Sequence, residues 1–88
     1  MVAFAAGAAA LQWMVNNKVS EHAAALGEKC MVKLKELESE SSIVGESRGI
    51  GLMMAIELVK DKNTKEPASD YAKKVRKYGH QRGVMIEV

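Results

Sequence analysis

The residues with the clearest chemical pattern lie between Gly45 and Gly51, in the sequence GESRGIG. Their spacing, G-x-x-x-G-x-G, is typical of a loop whose backbone N–H groups bind the phosphates of a dinucleotide. Such a loop follows a buried strand and opens a helix within a βαβ unit. Here a long predicted helix precedes the glycines, and 88 residues are too few for a doubly wound nucleotide domain with a catalytic centre. Nucleotide binding is therefore the weakest of three hypotheses.

The same glycines favour a corner between two strands. Glycine tolerates the positive φ or the close backbone approach that a corner needs, so we predict a structural corner at Arg48, Gly49 and Gly51. A lone arginine beside glycines more often bonds a local carbonyl or carboxylate than a phosphate. We therefore assign Arg48 a structural role ahead of ligand binding.

The other reactive side chains form no recognisable site. Cys30 is the only cysteine, and His22 and His80 lie far apart without paired ligand spacing. We predict no metal site, because metal ligands must converge. A single cysteine excludes an intramolecular disulfide and suits a reducing, cytoplasmic location. The lysines lie on polar helix faces or in a charged loop, where an amine stays protonated. We expect no catalytic residue and no residue that binds a cofactor.

The chain carries 13 basic and 11 acidic residues that are interspersed along it, a balance that does not suggest nucleic acid as a partner. An alanine-rich, apolar helix is predicted over Val2 to Val15, too short for a membrane span and without the basic region of a signal peptide. Asn17 is the predicted N-cap of a second helix that runs to about Ser39. Its apolar stripe is Val19, Ala23, Leu26, Cys30, Leu34 and Leu37, and we interpret the opposite face, with Lys35 and Glu38, as solvated.

Alternating apolar residues from Leu52 to Leu58 predict a strand that pairs with the residues before the glycines. A charged loop from Lys60 to Pro67 follows. A third helix begins at Ala68 or Ser69 and ends at Gly83, the predicted C′ glycine, and Val84 to Val88 is a predicted strand. The predicted fold is α+β with the order ααββαβ.

Several segments in this order resemble the class III pyridoxal-phosphate aminotransferases, the family that includes 4-aminobutyrate, ornithine and acetylornithine aminotransferases. The sequence VGESRGIGLM from Val44 resembles the family's V-G-D-V-R-G-x-G-L-M element. The other similar segments are the alanine-rich helix Ala3 to Leu11, LGEK from Leu26, IELVKD from Ile56, TKEPA from Thr64 and RGV from Arg82.

This resemblance implies the C-terminal small domain of a fold-type I aminotransferase. It further implies that the lysine of the Schiff base, the aspartate at the pyridinium nitrogen and the phosphate contacts of pyridoxal phosphate precede this region. We expect a linking or interface helix over residues 1–17 and a small α+β domain over residues 18–88. The leading hypothesis is a truncated or fragmentary aminotransferase that is inactive alone. The alternative is a stand-alone oligomeric interaction module.

A bare apolar helix at the N-terminus also predicts self-association. Small residues permit close helix approach, and a large exposed apolar patch is uncommon on a monomer. We expect a homo-oligomer, most simply a two-fold dimer, with no nucleic acid or membrane as partner. The predicted interface residues are Phe4, Ala6, Ala10, Trp13 and Met14.

Overall fold

The computed structural model describes residues 1–88 and has an α+β architecture, as predicted. Two helices lead into a hairpin, and a third helix follows it. The elements are α1 (Val2–Asn16), α2 (Val19–Glu40), β1 (Val44–Ile50), β2 (Met53–Leu58) and α3 (Ser69–Gln81). None of the three helices combines the length and the apolar character needed to cross a membrane.

The junction between α1 and α2 corrects one predicted cap. Asn17 lies at the end of α1, where its side-chain amide donates to the Trp13 carbonyl over 2.8 Å. Lys18 precedes α2 in the left-handed conformation, with φ of 52°, and no side chain caps that helix. Asn17 therefore terminates α1 instead of starting α2, because its side-chain amide and its backbone N–H both donate to the Trp13 carbonyl in the last turn of α1.

The hairpin is a two-stranded antiparallel sheet in which Ile50 pairs with Met53 and Ser47 pairs with Ile56. The register shifts between Val44 and Glu46, where β1 carries an irregularity. Between the strands lie only Gly51 and Leu52, and Gly51 has a φ of 55°. The turn is therefore narrower than the corner predicted from Arg48 to Gly51, since Arg48 and Gly49 belong to β1.

The turn of the hairpin lies directly against α2. A Cβ atom on Gly27, which is buried in α2, would overlap the backbone of Gly51. Gly49 is restricted by its neighbouring strand in the same way, because a Cβ there would overlap the backbone of Met53 and Met54. Helix and turn thus approach at a distance that only glycine permits.

The charged loop after β2 folds back on itself. Val59 forms an isolated bridge with Pro67, the Lys60 N–H donates to the Glu66 carbonyl over 2.9 Å, and the Ala68 N–H donates to the Leu58 carbonyl over 3.0 Å. These bonds bring the start of α3 beside the end of β2.

The end of α3 confirms one prediction and corrects another. Gly83, with φ of 81°, follows the C-cap Arg82 as the predicted C′ glycine. The predicted strand from Val84 to Val88 is wrong, because this segment has no regular structure. A strand needs backbone bonds to a neighbouring strand. The only backbone bond of this segment outside helices and strands joins the Val84 N–H to the Gly79 carbonyl over 2.8 Å.

The interior of the molecule is small. Only 5 of 88 residues are buried, namely Gly27, Val44, Ser47, Val59 and Ala68. They lie where α2, the hairpin and the start of α3 meet. Helix α1 has no buried residue at all. The apolar stripe of α2 is partly covered, whereas α1 projects from the rest and contributes to the longest dimension of 49 Å.

We predict that Gly27→Ala destabilises the fold although alanine is the better helix former. The added methyl overlaps the Gly51 backbone, and such overpacking costs about 1–3 kcal/mol, more than the roughly 1 kcal/mol that alanine gains in a helix. Gly7→Ala is the matched control, because nothing lies within 4 Å of its Cβ position in α1. Urea denaturation followed by circular dichroism should show a lower midpoint for Gly27→Ala alone. An equal or higher midpoint would mean that helix and turn can separate freely.

Candidate functional site

A polar cluster joins α2 to the inner face of the hairpin. The carboxylate of Glu38 on α2 accepts the backbone N–H of Ser47 over 2.7 Å and also accepts the Ser47 hydroxyl. Lys35, one helical turn before, donates to Glu38 over 3.1 Å and to the Ser47 carbonyl over 2.7 Å. Lys62 reaches from the charged loop to the Glu38 backbone carbonyl. Ser47 is therefore bonded through its N–H, its hydroxyl and its carbonyl to a single helix.

This cluster lowers the pKa of the Glu38 carboxyl from 4.5 to about 2. The main cause is the hydrogen bond from the Ser47 hydroxyl, followed by the bonds from Lys35 and from the Ser47 N–H. Each donor favours the charged form of the carboxylate. The unfolded chain therefore binds a proton at higher pH than the folded chain does. Stability from this group is present above pH 4.5 and is lost as the pH falls from there towards 2.

Sequence reasoning missed this cluster. The prediction of a solvated helix face is wrong for Glu38, which is partly buried and bonds Ser47, whereas Lys35 also bonds Ser47 but remains exposed. Their partner lies 9 and 12 positions away, so no local pattern links them. No local signal marks Ser47 as buried, because its neighbours on the same strand face are Gly45 and Gly49, which carry no apolar side chains.

Arg48 lies on the opposite, outer face of the hairpin. Its guanidinium is 3.2 Å from the Glu46 carboxylate and 3.4 Å from the Glu57 carboxylate across the strand pair. All three side chains are about half exposed, so these ion pairs contribute little stability. Arg48, Gly49 and Gly51 are thus close in sequence and share one end of the hairpin, but the arginine bonds carboxylates and not the glycine turn.

The geometry around the glycines differs from that of a phosphate loop. Val44–Ile50 is itself a strand whose backbone pairs with β2. The next helix begins only at Ser69, so no helix N-terminus faces the glycine segment. This turn therefore does not present the converging backbone N–H groups with which a helix N-terminus binds a phosphate.

The reactive side chains are scattered over the surface. His22, His80 and Cys30 are exposed, and no group of three or more histidine, cysteine or acidic residues could hold a metal ion. Every lysine is also exposed. Asp61 is engaged locally, because its carboxylate accepts the N–H groups of Asn63 and Thr64.

An apolar depression lies between β2, α2, α3 and the C-terminal segment. It has a volume of about 280 Å³, and nine of its ten lining residues are hydrophobic. Strand β2 forms one wall. The remaining lining residues come from α2, α3 and the C-terminal segment and are Leu34, Ala72, Val75, Ile86, Glu87 and Val88. We call this depression the β2 groove.

Comparison with known proteins identifies the family. The family model for class-III aminotransferases matches residues 1–88. The chain is 31% identical over 85 residues to 5-aminovalerate aminotransferase of Pseudomonas aeruginosa, and 39% identical over 66 residues to ethanolamine-phosphate phospho-lyase homolog 1 of Caenorhabditis elegans. These matches cover 97% and 75% of the chain. The chain therefore belongs to the class III aminotransferase family.

Comparison with a solved structure shows that the fold is also that of an aminotransferase segment. An aminotransferase of Bacillus anthracis superimposes with a TM-score of 0.80 and 37% identity over 88% of this chain. The match covers 17% of that structure, and the chain spans 20% and 14% of the two relatives above. The family assignment and the α+β fold predicted from the sequence are both confirmed.

The lowered pKa of Glu38 makes stability depend on pH in a window that can be measured. We predict that the urea midpoint falls between pH 4.5 and pH 2, and that Glu38→Gln is less stable at neutral pH and loses less over this window. Glu36→Gln is the matched control, because Glu36 is exposed on the same helix and pairs only with Lys33. A Glu38→Gln profile that matches the wild type would show that Ser47 does not depend on this carboxylate.

Proposed function

We propose that this chain is the small-domain part of a class III aminotransferase and corresponds to the C-terminal region of the complete enzyme. The complete protein transfers amino groups with pyridoxal phosphate in the cytoplasm. The chain supplies a folded α2–hairpin–α3 unit, residues 18–88, and an interface helix, residues 1–17. The catalytic lysine and the cofactor contacts lie in the rest of the family polypeptide, so the chain alone is inactive.

The observation that carries this proposal is the small interior. Only 5 of 88 residues are buried, while Phe4, Trp13, Ile50 and Met53 are each at least 62% exposed. A chain of this length that folds independently covers about 60% or more of the surface that it exposes when unfolded. An apolar surface this open is typical of a unit that packs against further protein, and the relatives, which are about five times as long as this chain, would supply it.

The lysines of the chain do not fit the cofactor. In this enzyme class, pyridoxal phosphate supplies an electron sink for reactions at an amino-bearing carbon, and it is held by a lysine Schiff base. A Schiff-base lysine needs a desolvated amine. Here every lysine is exposed, and Lys35, the one with the most polar contacts, donates to the Glu38 carboxylate and to the Ser47 carbonyl.

The relatives support a structural role for this segment, with the catalytic residues elsewhere in the polypeptide. One is named an aminotransferase and another a phospho-lyase homolog, yet both match this chain at 31% and 39% identity. A segment shared by proteins with different reactions is better suited to a structural role than to the choice of reaction. The glycine corner of Arg48, Gly49 and Gly51 fits that role, because its side-chain and backbone contacts lie within the hairpin and α2.

We predict that the purified chain forms no specific internal aldimine and does not transaminate. After incubation with pyridoxal phosphate and desalting, the protein should show no bound aldimine absorbance. Borohydride trapping should label exposed lysines at low and similar levels, and Lys35→Met should leave that distribution of labelled sites unchanged. A complete class III aminotransferase treated in parallel is the positive control. A stable adduct at one particular lysine of this chain would defeat the proposal.

The alternative is a stand-alone oligomeric interaction module. Helix α1 favours it, because Val2–Asn16 has no buried residue and carries apolar side chains around most of its surface. The genomic context separates the two. Upstream DNA that encodes an aminotransferase large domain with its lysine supports the aminotransferase part, whereas an isolated promoter and start codon support the module.

Whether the chain is part of an aminotransferase or a stand-alone module, we propose that α1 contacts α1 of a second copy in a two-fold dimer. At 3.6 residues per turn, Ala6, Ala10, Trp13 and Met14 lie on one stripe of α1. All of them are exposed. Phe4, which the sequence placed in the same interface, lies on an adjacent stripe with Leu11 and Val15. The alanines allow two helices to approach closely, and Trp13 provides the large apolar area that a stable contact needs.

We predict that Ala6→Glu with Ala10→Glu converts the dimer into a monomer. Two carboxylates on the contact stripe would lie close to their symmetry mates, and burying unpaired charge is costly. Ala5→Glu with Ala9→Glu is the matched control, because these residues share the face of Gln12 and Asn16, whose side chains bond each other over 3.0 Å. Light scattering over a dilution series measures the mass. A monomeric wild-type chain at micromolar concentration, or a dimer that survives the first variant, would exclude this interface.

A further inference from the structure

Helix α3, together with its C-cap Arg82, differs in net charge from the rest of the molecule. Residues 69–82 contain one acidic side chain, Asp70, and five basic ones, which gives them a formal charge of +4. The whole chain has a formal charge of +2, so the other residues together carry −2. The five basic residues are Lys73, Lys74, Arg76, Lys77 and Arg82. The balanced composition of the chain therefore conceals one strongly cationic surface.

The basic side chains of α3 have no acidic partners, whereas those of α2 do. On α2, Lys33 and Lys35 are each followed three positions later by a glutamate with which they form an ion pair. On α3, Lys77 follows Lys73 by four positions and Lys74 by three, so lysines are neighbours on the helix surface. The remaining ion pairs of the molecule belong to Arg48 and Lys60. Like charges at this spacing destabilise a helix, and an anion bound between them would remove that repulsion.

Four polar residues of α3 line a depression on this cationic surface. It has a volume of about 480 Å³, and the four residues are Lys74, Lys77, Tyr78 and Gln81. Their offsets of three, four and seven positions place them on one face of the helix. They present two ammonium groups, a phenol and an amide, each of which can donate a hydrogen bond. No intramolecular hydrogen bond uses these side chains, so all of their donors are available to a ligand.

Arg82 adds a third positive charge beside this depression. Its guanidinium lies 5.5 Å from the centroid of the Tyr78 ring, within the range of a cation–π contact. Stacking occupies the face of the guanidinium and leaves the N–H donors in its plane free. We call Lys74, Lys77, Tyr78, Gln81 and Arg82 the α3 site. It combines three positive charges with two neutral donors and contains no carboxylate.

We propose that the α3 site binds a small polyphosphate, meaning a compound with at least two linked phosphate groups. A phosphate group carries roughly two negative charges near pH 7 and three strong acceptor oxygens, whereas a carboxylate has one charge and two oxygens. A single phosphate would leave part of the positive charge of the site uncompensated, and two phosphates match it. Lysine and arginine are also the side chains that proteins most often use to bind phosphate.

The shape of the site favours a small anion over a nucleic acid or a membrane surface. Its charges lie around one depression, and the distance along the helix from Lys74 to Arg82 is about 12 Å at the rise of an α-helix. An extended polyanion would contact Lys73 and Arg76 as well, because it would cover the whole cationic side of α3. Neither of these two residues lines the depression.

Titration of the 88-residue chain with inorganic tripolyphosphate, without divalent cations, tests the proposal. Chemical-shift mapping shows where the anion binds, and calorimetry gives the Kd. The backbone amides of Tyr78, Gln81 and Arg82 and the side-chain amide of Gln81 should shift. We expect a Kd of about 0.1–1 mM at low ionic strength that rises with salt, because exposed charges are screened. Shifts confined to other elements would overturn the proposal.

A series of probes tests the chemical class of the ligand on the unaltered chain. Orthophosphate should bind about tenfold more weakly than tripolyphosphate, and pyrophosphate should lie between them, because the number of charges near the site increases along the series. Equal affinities for all three anions would overturn the assignment to a polyphosphate. A single-stranded oligonucleotide and anionic lipid vesicles represent the extended polyanions. Tighter binding of either one than of tripolyphosphate would also overturn it.

Two matched double variants separate the site from the general charge of the helix. Lys74→Gln with Lys77→Gln removes two charges that line the depression, and Lys73→Gln with Arg76→Gln removes two that do not. The first should weaken tripolyphosphate binding about tenfold, and the second about twofold or less. Equal losses would mean that the anion responds only to net charge, and the site would be excluded.

A neutral substitution makes the test independent of charge. Gln81→Ala leaves the net charge unchanged and keeps a good helix former in α3. It should weaken tripolyphosphate binding about threefold, since one hydrogen bond to the anion is lost. An unchanged affinity would show that these side chains do not act as one site, even if a double variant fails to fold.

Discussion

Glu38 receives the backbone N–H and the hydroxyl of Ser47, and these bonds hold the hairpin on α2. Once Ser47 is fixed, the alternation of β1 directs Arg48 to the outer face, and the short turn brings Gly51 against Gly27. The position of β2 follows from its register with β1, and the start of α3 is bonded to the end of β2 through Ala68. The contacts of the hairpin and of α3 with the rest of the molecule therefore follow from where this carboxylate holds Ser47.

The hairpin depends on these polar bonds because the apolar interior is so small. Val44, Val59 and Ala68 are the only buried hydrophobic residues, and they lie at one end of the hairpin. At the other end, helix and turn meet through glycines, which contribute close approach but no side-chain contact. The charged hydrogen bonds to Ser47 lie between these two regions. Bonds to a charged group are stronger than those between neutral groups, so they can compensate for missing apolar contacts.

Two apolar surfaces remain open, and they differ in kind. Helix α1 offers side chains only, because its backbone groups are bonded within the helix, and it suits a partner that brings another helix or a flat surface. The β2 groove is a concave apolar surface lined by α2, β2, α3 and the C-terminal segment. A part of a larger enzyme would be expected to have both, since it must pack against neighbouring elements of the same polypeptide as well as against other domains or subunits.

The sequence by itself determined the class of fold and the family. Alanine-rich composition defined α1, and periodicity defined α2 and α3, each within one or two residues. Alternation defined the hairpin, and Gly83 marked the end of α3. These features depend on contacts within a few positions of the chain. The order of short motifs from Val44 to Arg82 indicated the class III aminotransferases, which the comparisons confirmed.

Only the tertiary structure decided the rest. Asn17 ends α1 instead of capping α2, and Lys35 and Glu38 contact buried Ser47 although helical periodicity places them on a polar face. Val84 to Val88 has the composition of a strand but makes no backbone bonds with β2, although both line the β2 groove, so it stays irregular. In each case the deciding partner lies in another element or is missing, and local sequence patterns carry no information about a partner that the chain brings close only on folding.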